Sequence, residues 1–201
     1  MAEPRRVRAD AERNRHAILA ATEKLLRGSD PGQVTIERVA EAAGVGKATV
    51  FHRFGNRMGL MQSVMEQRAT ALQEAMVSGP PPLGPGAPAP ERFIAFLDAV
   101  TDLVTQNAGL MTAHDHAAAV RKNTSGERQA NSVYQTWHAH VAGLIEEARP
   151  ELDGALLAHI ILGGMHTEPV AQLIRDGEFE RLRTSLRDLA TALLGTTGEQ
   201  P

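Results

Sequence analysis

Residues 35–57 read TIERVAEAAGVGKATVFHRFGNR, and this stretch decides the fold. The hydroxyl of Thr35 can accept a hydrogen bond from a free amide of a first helical turn, and Ile36, Val39, Ala40 and Ala43 recur at helical spacing behind it. The spacing predicts a helix over 36–43. Gly44 stands where the chain must adopt a left-handed conformation to leave that helix. Val45 then offers an apolar plug, and Gly46 and Lys47 open a second short helix running to Arg53. Two short helices joined by a turn of about three residues form a helix-turn-helix, in which the second helix enters the major groove of DNA.

Working outward, Ile18, Leu19, Ala21, Thr22, Leu25 and Leu26 form the buried stripe of a scaffold helix expected from Asp10 to Arg27. Gly28-Ser29-Asp30-Pro31-Gly32 ends it. The arginines at its start, Arg5, Arg6, Arg8, Arg13 and Arg15, make a basic arm that either grips DNA or is a solvated tail. On the other side, Asn56 is placed to cap a fourth helix carrying Leu60, Met61, Val64, Met65, Ala69, Leu72 and Met76. The next segment, residues 78–90, holds six prolines and reads as an exposed linker or long loop. Further amphipathic helices are expected over Glu91–Val104, Leu110–Val120, Gly126–Ala148, Leu152–Arg175 and Phe179–Leu194. No strand pattern competes, so the chain reads as all-α.

Composition bounds the function. The 201 residues are 42% hydrophobic, enough for one DNA-reading domain and one larger core. Cysteine is absent, which excludes disulfides, thiolate nucleophiles and thiol redox sensing. No apolar run reaches the length of a membrane span and no secretory signal opens the chain, so a cytoplasmic protein with no membrane partner is expected. The net charge of -3 hides two halves of opposite sign. Residues 1–58 hold eleven Lys or Arg against seven Asp or Glu, giving +4, and the remainder holds ten against seventeen, giving -7. Basic groups concentrated on one module suit phosphate neutralisation there. There is no Gly-rich phosphate loop, nucleophile elbow or HExxH, so catalysis has no anchor and no enzyme is expected.

The run AGVGKATVFHRF (residues 43–54), followed by Asn56, Arg57 and Leu60, resembles the signature of the TetR family of bacterial transcriptional regulators over residues of about 10 to 60. Gly46 and Phe51 stand where the family often has serine and tyrosine, and Arg53 where it commonly has histidine or tyrosine. The resemblance implies an N-terminal three-helix DNA-binding domain, residues 1–58, and a larger C-terminal helical domain for effector binding and dimerisation, residues 59–201, with about nine helices in all. It also implies a palindromic operator in double-stranded DNA and a small-molecule inducer; no cofactor is expected.

Roles follow from chemistry. Arg38 and Lys47 have cationic donors for guanine edges, and Ala48 and Phe51 offer apolar contacts to thymine methyl groups. Thr35, Thr49, His52 and Arg57 are expected on the DNA backbone, and Val39, Val45, Val50 and Phe54 in the core. The last two helices carry Leu156, Leu157, Ile160, Ile161, Leu162, Val170, Leu173 and Ile174, then Leu182, Leu186, Leu189, Ala190, Leu193 and Leu194, more apolar surface than one small domain needs, and Gly163 and Gly164 would let another helix approach closely, which predicts a homodimer. The candidate inducer pocket combines Met111, His114, Tyr134, Trp137, His138, Leu144, Ile161, Met165 and His166. The pairs His114 with His116 and His138 with His140 are spaced i, i+2, which turns their side chains to opposite sides of a helix, so neither pair makes a shared metal site. The competing readings are a helical DNA-binding regulator governed by a protein partner or by no effector and, behind it, a histidine-based metal sensor.

Overall fold

The computed structural model describes the backbone of residues 3–110, 125–165 and 167–195, and the side chains of residues 10–110, 132–165 and 167–195. Among these residues there are nine α-helices and no strand: α1 (Glu3–Gly28), α2 (Ile36–Ala43), α3 (Lys47–Phe54), α4 (Arg57–Ser78), α5 (Ala89–Asn107), α6 (Ser125–Ala148), α7 (Gly154–Gly164), α8 (Glu168–Arg175) and α9 (Phe179–Leu194). A 3-10 turn, Pro31–Gln33, lies between α1 and α2. The chain forms two compact units. The first holds the described residues up to Arg68 with Gly109 and Leu110; the second holds the others.

Two helices differ most from expectation. Helix α1 begins at Glu3, because the Arg- and Ala-rich arm is composed of good helix formers and Pro4 sits in the first turn, where its missing N–H is not needed. Residues 152–175 form two helices, not one. Gly163 and Gly164 are poor helix formers, Thr167 is extended (φ -80°, ψ 151°), and Pro169 favours a fresh helix start. The prolines end α4 at Ser78, and of the two readings of the segment, linker or long loop, the structure has a loop, whose Leu83 packs on the core of the second unit. The helix expected over Leu110–Val120 lies, apart from Leu110, outside the described residues.

In the first unit α1 packs on α2 and α2 on α3. The core joins Ile18 and Leu19 of α1, Ile36, Val39 and Ala40 of α2, Val50 and Phe54 of α3, and Leu60, Met61 and Val64 of α4, with Val34 and Leu110. Burying each large aliphatic side chain contributes about 1.5–3 kcal/mol, so this apolar interior, not helix propensity, holds such short helices. Two polar clamps brace it. Arg68 on α4 donates twice to the Glu23 carboxylate on α1, at 2.8 and 2.9 Å. Arg57 donates to the carbonyls of Pro31 at 2.8 Å, Val34 at 3.2 Å and Leu110 at 3.2 Å.

In the second unit α5 packs on α6 and α9, α6 on α7, and α8 on α9. Phe93, Phe96, Leu97, Val141, Ile145 and Leu162 are among its most buried side chains. On the surface of the α5–α9 seam, Arg187 is bidentate to Asp98 at 2.8 and 2.7 Å, and Arg183 donates to Asp102 at 2.6 Å. The α6–α7 crossing depends on Gly154, where an added Cβ would lie 2.6 Å from the Ala142 carbonyl oxygen and 2.7 Å from Glu146 Cγ. The backbone oxygen cannot move aside as a flexible side chain would. Gly154→Ala is therefore expected to cost about 1–3 kcal/mol of stability in urea unfolding; an unchanged midpoint would mean that the crossing relaxes freely.

Candidate nucleic-acid interface

The geometry of the turn follows residue by residue from the sequence. Thr35 Oγ1 accepts from the Arg38 amide at 3.3 Å and starts α2. At the other end Gly44 is left-handed (φ 66°). Its amide donates to Glu41 O at 3.1 Å, and the Val45 amide donates to Ala40 O at 3.0 Å, the paired bonds of a Schellman ending. Val45 packs on the core as its apolar contact. The direction in which α3 leaves is thereby set. Gly46 caps α3 without a side-chain hydrogen bond, so the first turn of α3 keeps its free amides exposed.

Helix α3 has two sides. Val50 and Phe54 are buried, whereas Lys47, Ala48, Phe51 and His52 are exposed along one ridge at spacings of one, four and five residues. Phe51 is 42% exposed, unusual for a large apolar ring in a free surface position. Lys47 Nζ stands 5.5 Å from its ring centroid. The ridge thus offers a cation, a methyl, a ring and an imidazole to solvent together, the mixture suited to base edges and thymine methyls. Thr49 is half-buried beside it, and Thr35 is an exposed cap.

Two sequence-selected cations are engaged within the protein. Arg38 is exposed, but its guanidinium donates to Gln33 O at 2.8 Å and to Ser29 Oγ at 3.5 Å. It must release that loop before it can reach a guanine. Arg57 does not stand on the ridge: its three carbonyl partners, Pro31, Val34 and Leu110, make it a brace inside the unit. The expectation of a phosphate contact from Arg57 arose from its charge and its place after α3. These carbonyls, of which Pro31 O also accepts the Val34 amide in the 3-10 turn, hold the guanidinium inside the unit instead.

Sequence reasoning passed over Glu37. Its carboxylate pairs with Lys47 Nζ from the first turn of α2, and the hydrogen bond from Lys47 holds the carboxyl below its usual range. The pair links α2 to the first residue of the recognition helix and places a negative charge beside the ridge. Its signal is a Glu ten residues before a Lys across a turn, which no helical spacing rule reveals. Glu37→Gln is expected to raise affinity for operator and scrambled DNA alike by about two- to fivefold, because a charge that repels phosphate is removed. Fluorescence anisotropy against both DNAs checks this; weaker binding to both would show that the pair organises Lys47 for contact. Arg15, read from the sequence as part of the basic arm, lies 5.4 Å from the Phe54 ring centroid and ties that arm to the core.

In the second unit the effector residues separate into two groups. Tyr134 Oη and His159 Nδ1 are hydrogen-bonded at 2.6 Å, His138 Nε2 donates to Ala155 O at 2.9 Å, and the His138 and His159 rings lie 4.0 Å apart. Trp137 is buried on the other side of α6 against Phe96, with ring centroids 6.0 Å apart, and His140 meets the same Phe96 at 5.4 Å. His138 and His140 do diverge as their spacing predicts, and the pair His114 with His116 lies outside the described residues. Burial, with the Arg92 charge nearby, lowers His140 to about 4, so its ring is neutral at neutral pH. Leu144 and Ile161 are buried in the core and Met165 is half-buried. Met111, His114 and His166 lie outside the described residues. Among the described residues no group of three or more His, Asp or Glu could hold a metal ion, and no helix is long and apolar enough to cross a membrane.

Comparison with known proteins bears on both units. Residues 18–64 match the family model described as bacterial regulatory proteins, tetR family. No curated protein matches the chain. Among solved structures, the chain is similar to the transcriptional regulator FadR from Bacillus subtilis in complex with stearoyl-CoA, with a TM-score of 0.56 and 17% identity over 90% of this chain and 98% of that one. It is similar to the fatty acid degradation regulator FadR from Bacillus halodurans, with a TM-score of 0.55 and 16% identity over 92% and 99%. The MbdR regulator from Azoarcus sp. CIB gives a TM-score of 0.51 and 18% identity over 94% and 100%. At such identities these structures speak to the fold, whereas the matched segment is the helix-turn-helix itself. With its capped α2 and left-handed Gly44 exit, the helix-turn-helix segment of residues 18–64 is of the tetR family of bacterial regulatory proteins, and the helical fold of the chain is similar to that of solved regulators.

Proposed function

We propose that this regulator is a ligand-responsive repressor that binds a palindromic operator as a homodimer in the cytoplasm, residues 1–58 reading the DNA and residues 59–201 binding effector and partner. The observation that carries the reading is the ridge of α3, where Lys47, Ala48, Phe51 and His52 face solvent while Val50 and Phe54 are buried in the core. Lys47 and Ala48, with Phe51, would read base edges; Thr35, Thr49 and His52 would position the backbone, and Arg38 would join after leaving its loop. Two such helices, related by a twofold axis, fit half-sites about 34 Å apart or a multiple of that.

The homodimer is supported by α7 and α9. Ile161, Leu162, Leu182, Leu186 and Ala190 are occupied in the unit's own core, yet Leu156, Ile160 and Leu189 are 55, 61 and 46% exposed. Gly163 and Gly164 have open space where a Cβ would stand, leaving room for a second helix to approach. Ile160→Asp is expected to convert a dimer into a monomer in sedimentation velocity at micromolar concentration; a wild-type monomer would refute the dimer. An effector would act by favouring a conformer whose recognition helices no longer match the half-sites, since equal affinity for both states shifts nothing.

The deciding experiment is an anisotropy titration against the DNA upstream of the protein's own gene, at two salt concentrations and with scrambled competitor. Tight, competitor-resistant binding is expected. Binding that is weak and lost steeply with salt would refute a sequence-reading role at that site. Operator binding that no metabolite relieves would favour control by a protein partner.

A further inference from the structure

Among the described residues, four buried side-chain atoms have no hydrogen-bond partner: Arg92 Nε, Thr105 Oγ1, Trp137 Nε1 and His140 Nε2. Three of them belong to one seam. Arg92 and Phe96 are a turn apart on α5, Trp137 and His140 a turn apart on α6, and Phe96 packs against both α6 rings. Trp137 is only 8% exposed. Arg92 lies near enough to His140 to depress its titration, and its Nη1 stands a loose 3.6 Å from the Glu147 carboxylate. Arg92 Nε is left without an acceptor.

The chemistry of these groups is one-sided. An indole N–H and a guanidinium only donate, and a neutral imidazole adds one donor and one acceptor. A buried donor left unmet costs about 1–3 kcal/mol, so the two obligate donors on this seam, Arg92 Nε and Trp137 Nε1, call for an acceptor brought from outside the fold. The positive charge of Arg92 favours an anion over a neutral acceptor. Phe93, Phe96 and Val141 of the same two helices are fully buried, which suits an apolar body behind the charged end.

We propose that the α5–α6 seam binds the carboxylate of a small apolar acid, with Arg92 and Trp137 donating to it and Phe96 walling it, and that this acid is the regulator's effector. The proposal rests on the ligand-responsive reading given above, and deepens it by assigning the ligand class. A carboxylate would also relieve the pressure that Arg92 places on His140.

Trp137 is the chain's single tryptophan, so its emission reports on the site directly. Full-length protein at pH 7 is titrated with octanoate and with benzoate, each against its own amide. At least one acid is expected to give a saturable change in emission, while its amide binds at least tenfold more weakly. Arg92→Met, which keeps the length of the side chain and removes its charge, is expected to weaken the acid at least tenfold. Glu147→Gln leaves Arg92 in place, removes its competing carboxylate, and is expected to tighten the acid severalfold. Equal binding of acid and amide, an unchanged affinity in Arg92→Met, or no saturable response to either acid would overturn the proposal. Parallel operator anisotropy separates the two readings. Acid that binds without releasing operator keeps the site but overturns its role as effector site, whereas intact operator binding with no acid response overturns the site and leaves the regulator.

Discussion

Replacing Arg57 by alanine is expected to destabilise the helix-turn-helix unit by about 2–4 kcal/mol, lowering its unfolding midpoint by roughly 10–25 °C, without removing a DNA contact. The guanidinium donates to Pro31, Val34 and Leu110, carbonyls that lie outside the helical ladders of α1 to α4. Hydrogen bonds from a charged donor contribute about 1.5–3 kcal/mol each when counted singly, and three made by one group are not additive. The loss falls on the turn between α1 and α2, on which the position of Thr35 and the start of α2 depend. Lysine at this position has one ammonium and no planar fork, so Arg57→Lys should recover less than half of the loss. The readout is urea or calorimetric unfolding, followed by operator binding at a temperature where the variant remains folded. The slope of log K against log salt should then equal that of the wild type. A slope reduced by about one would show a phosphate contact and restore the surface role that the sequence suggests for Arg57.

Arg57 also shows where reading a sequence stops. Thr35, Gly44, Val45 and Asn56 act through backbone groups within a few residues of themselves, so their roles are written in local spacing. Asn56 Oδ1, for example, accepts the Gly59 amide at 2.9 Å as an N-cap should. Apolar periodicity likewise carries Ile18, Val39, Val50 and Phe54 into one core. The partners of a long cationic side chain are different, because they depend on which remote backbone the fold brings past it. Leu110 is 53 residues from Arg57, and no local rule links them. The same reason hid Glu37 beside Lys47 and Arg92 beside His140. The break between α7 and α8 was hidden for another reason: apolar periodicity runs through Gly163 and Gly164, and only the extended Thr167 before Pro169 reveals a new helix.

The opposite behaviour is expected at Phe51. Its ring is 42% exposed and is not part of the unit's core, so Phe51→Ala should change stability by no more than about 0.5 kcal/mol. Its effect should appear on DNA. Loss of an apolar contact to a thymine methyl is expected to cost about 1–3 kcal/mol of discrimination, or roughly 5- to 150-fold in specific affinity, with little change against scrambled sequence. Lys47→Ala should join it, since the ammonium that stands over the ring also supplies the donor for a guanine edge. The two residues touch, so their effects should couple in a double-mutant cycle. Anisotropy against operator and scrambled DNA for both single variants and the double variant measures this, beside unfolding curves that should superimpose on the wild type. Destabilised variants with unaltered discrimination would mean that Phe51 is packing, and that the reading surface of this regulator lies elsewhere than the ridge of α3.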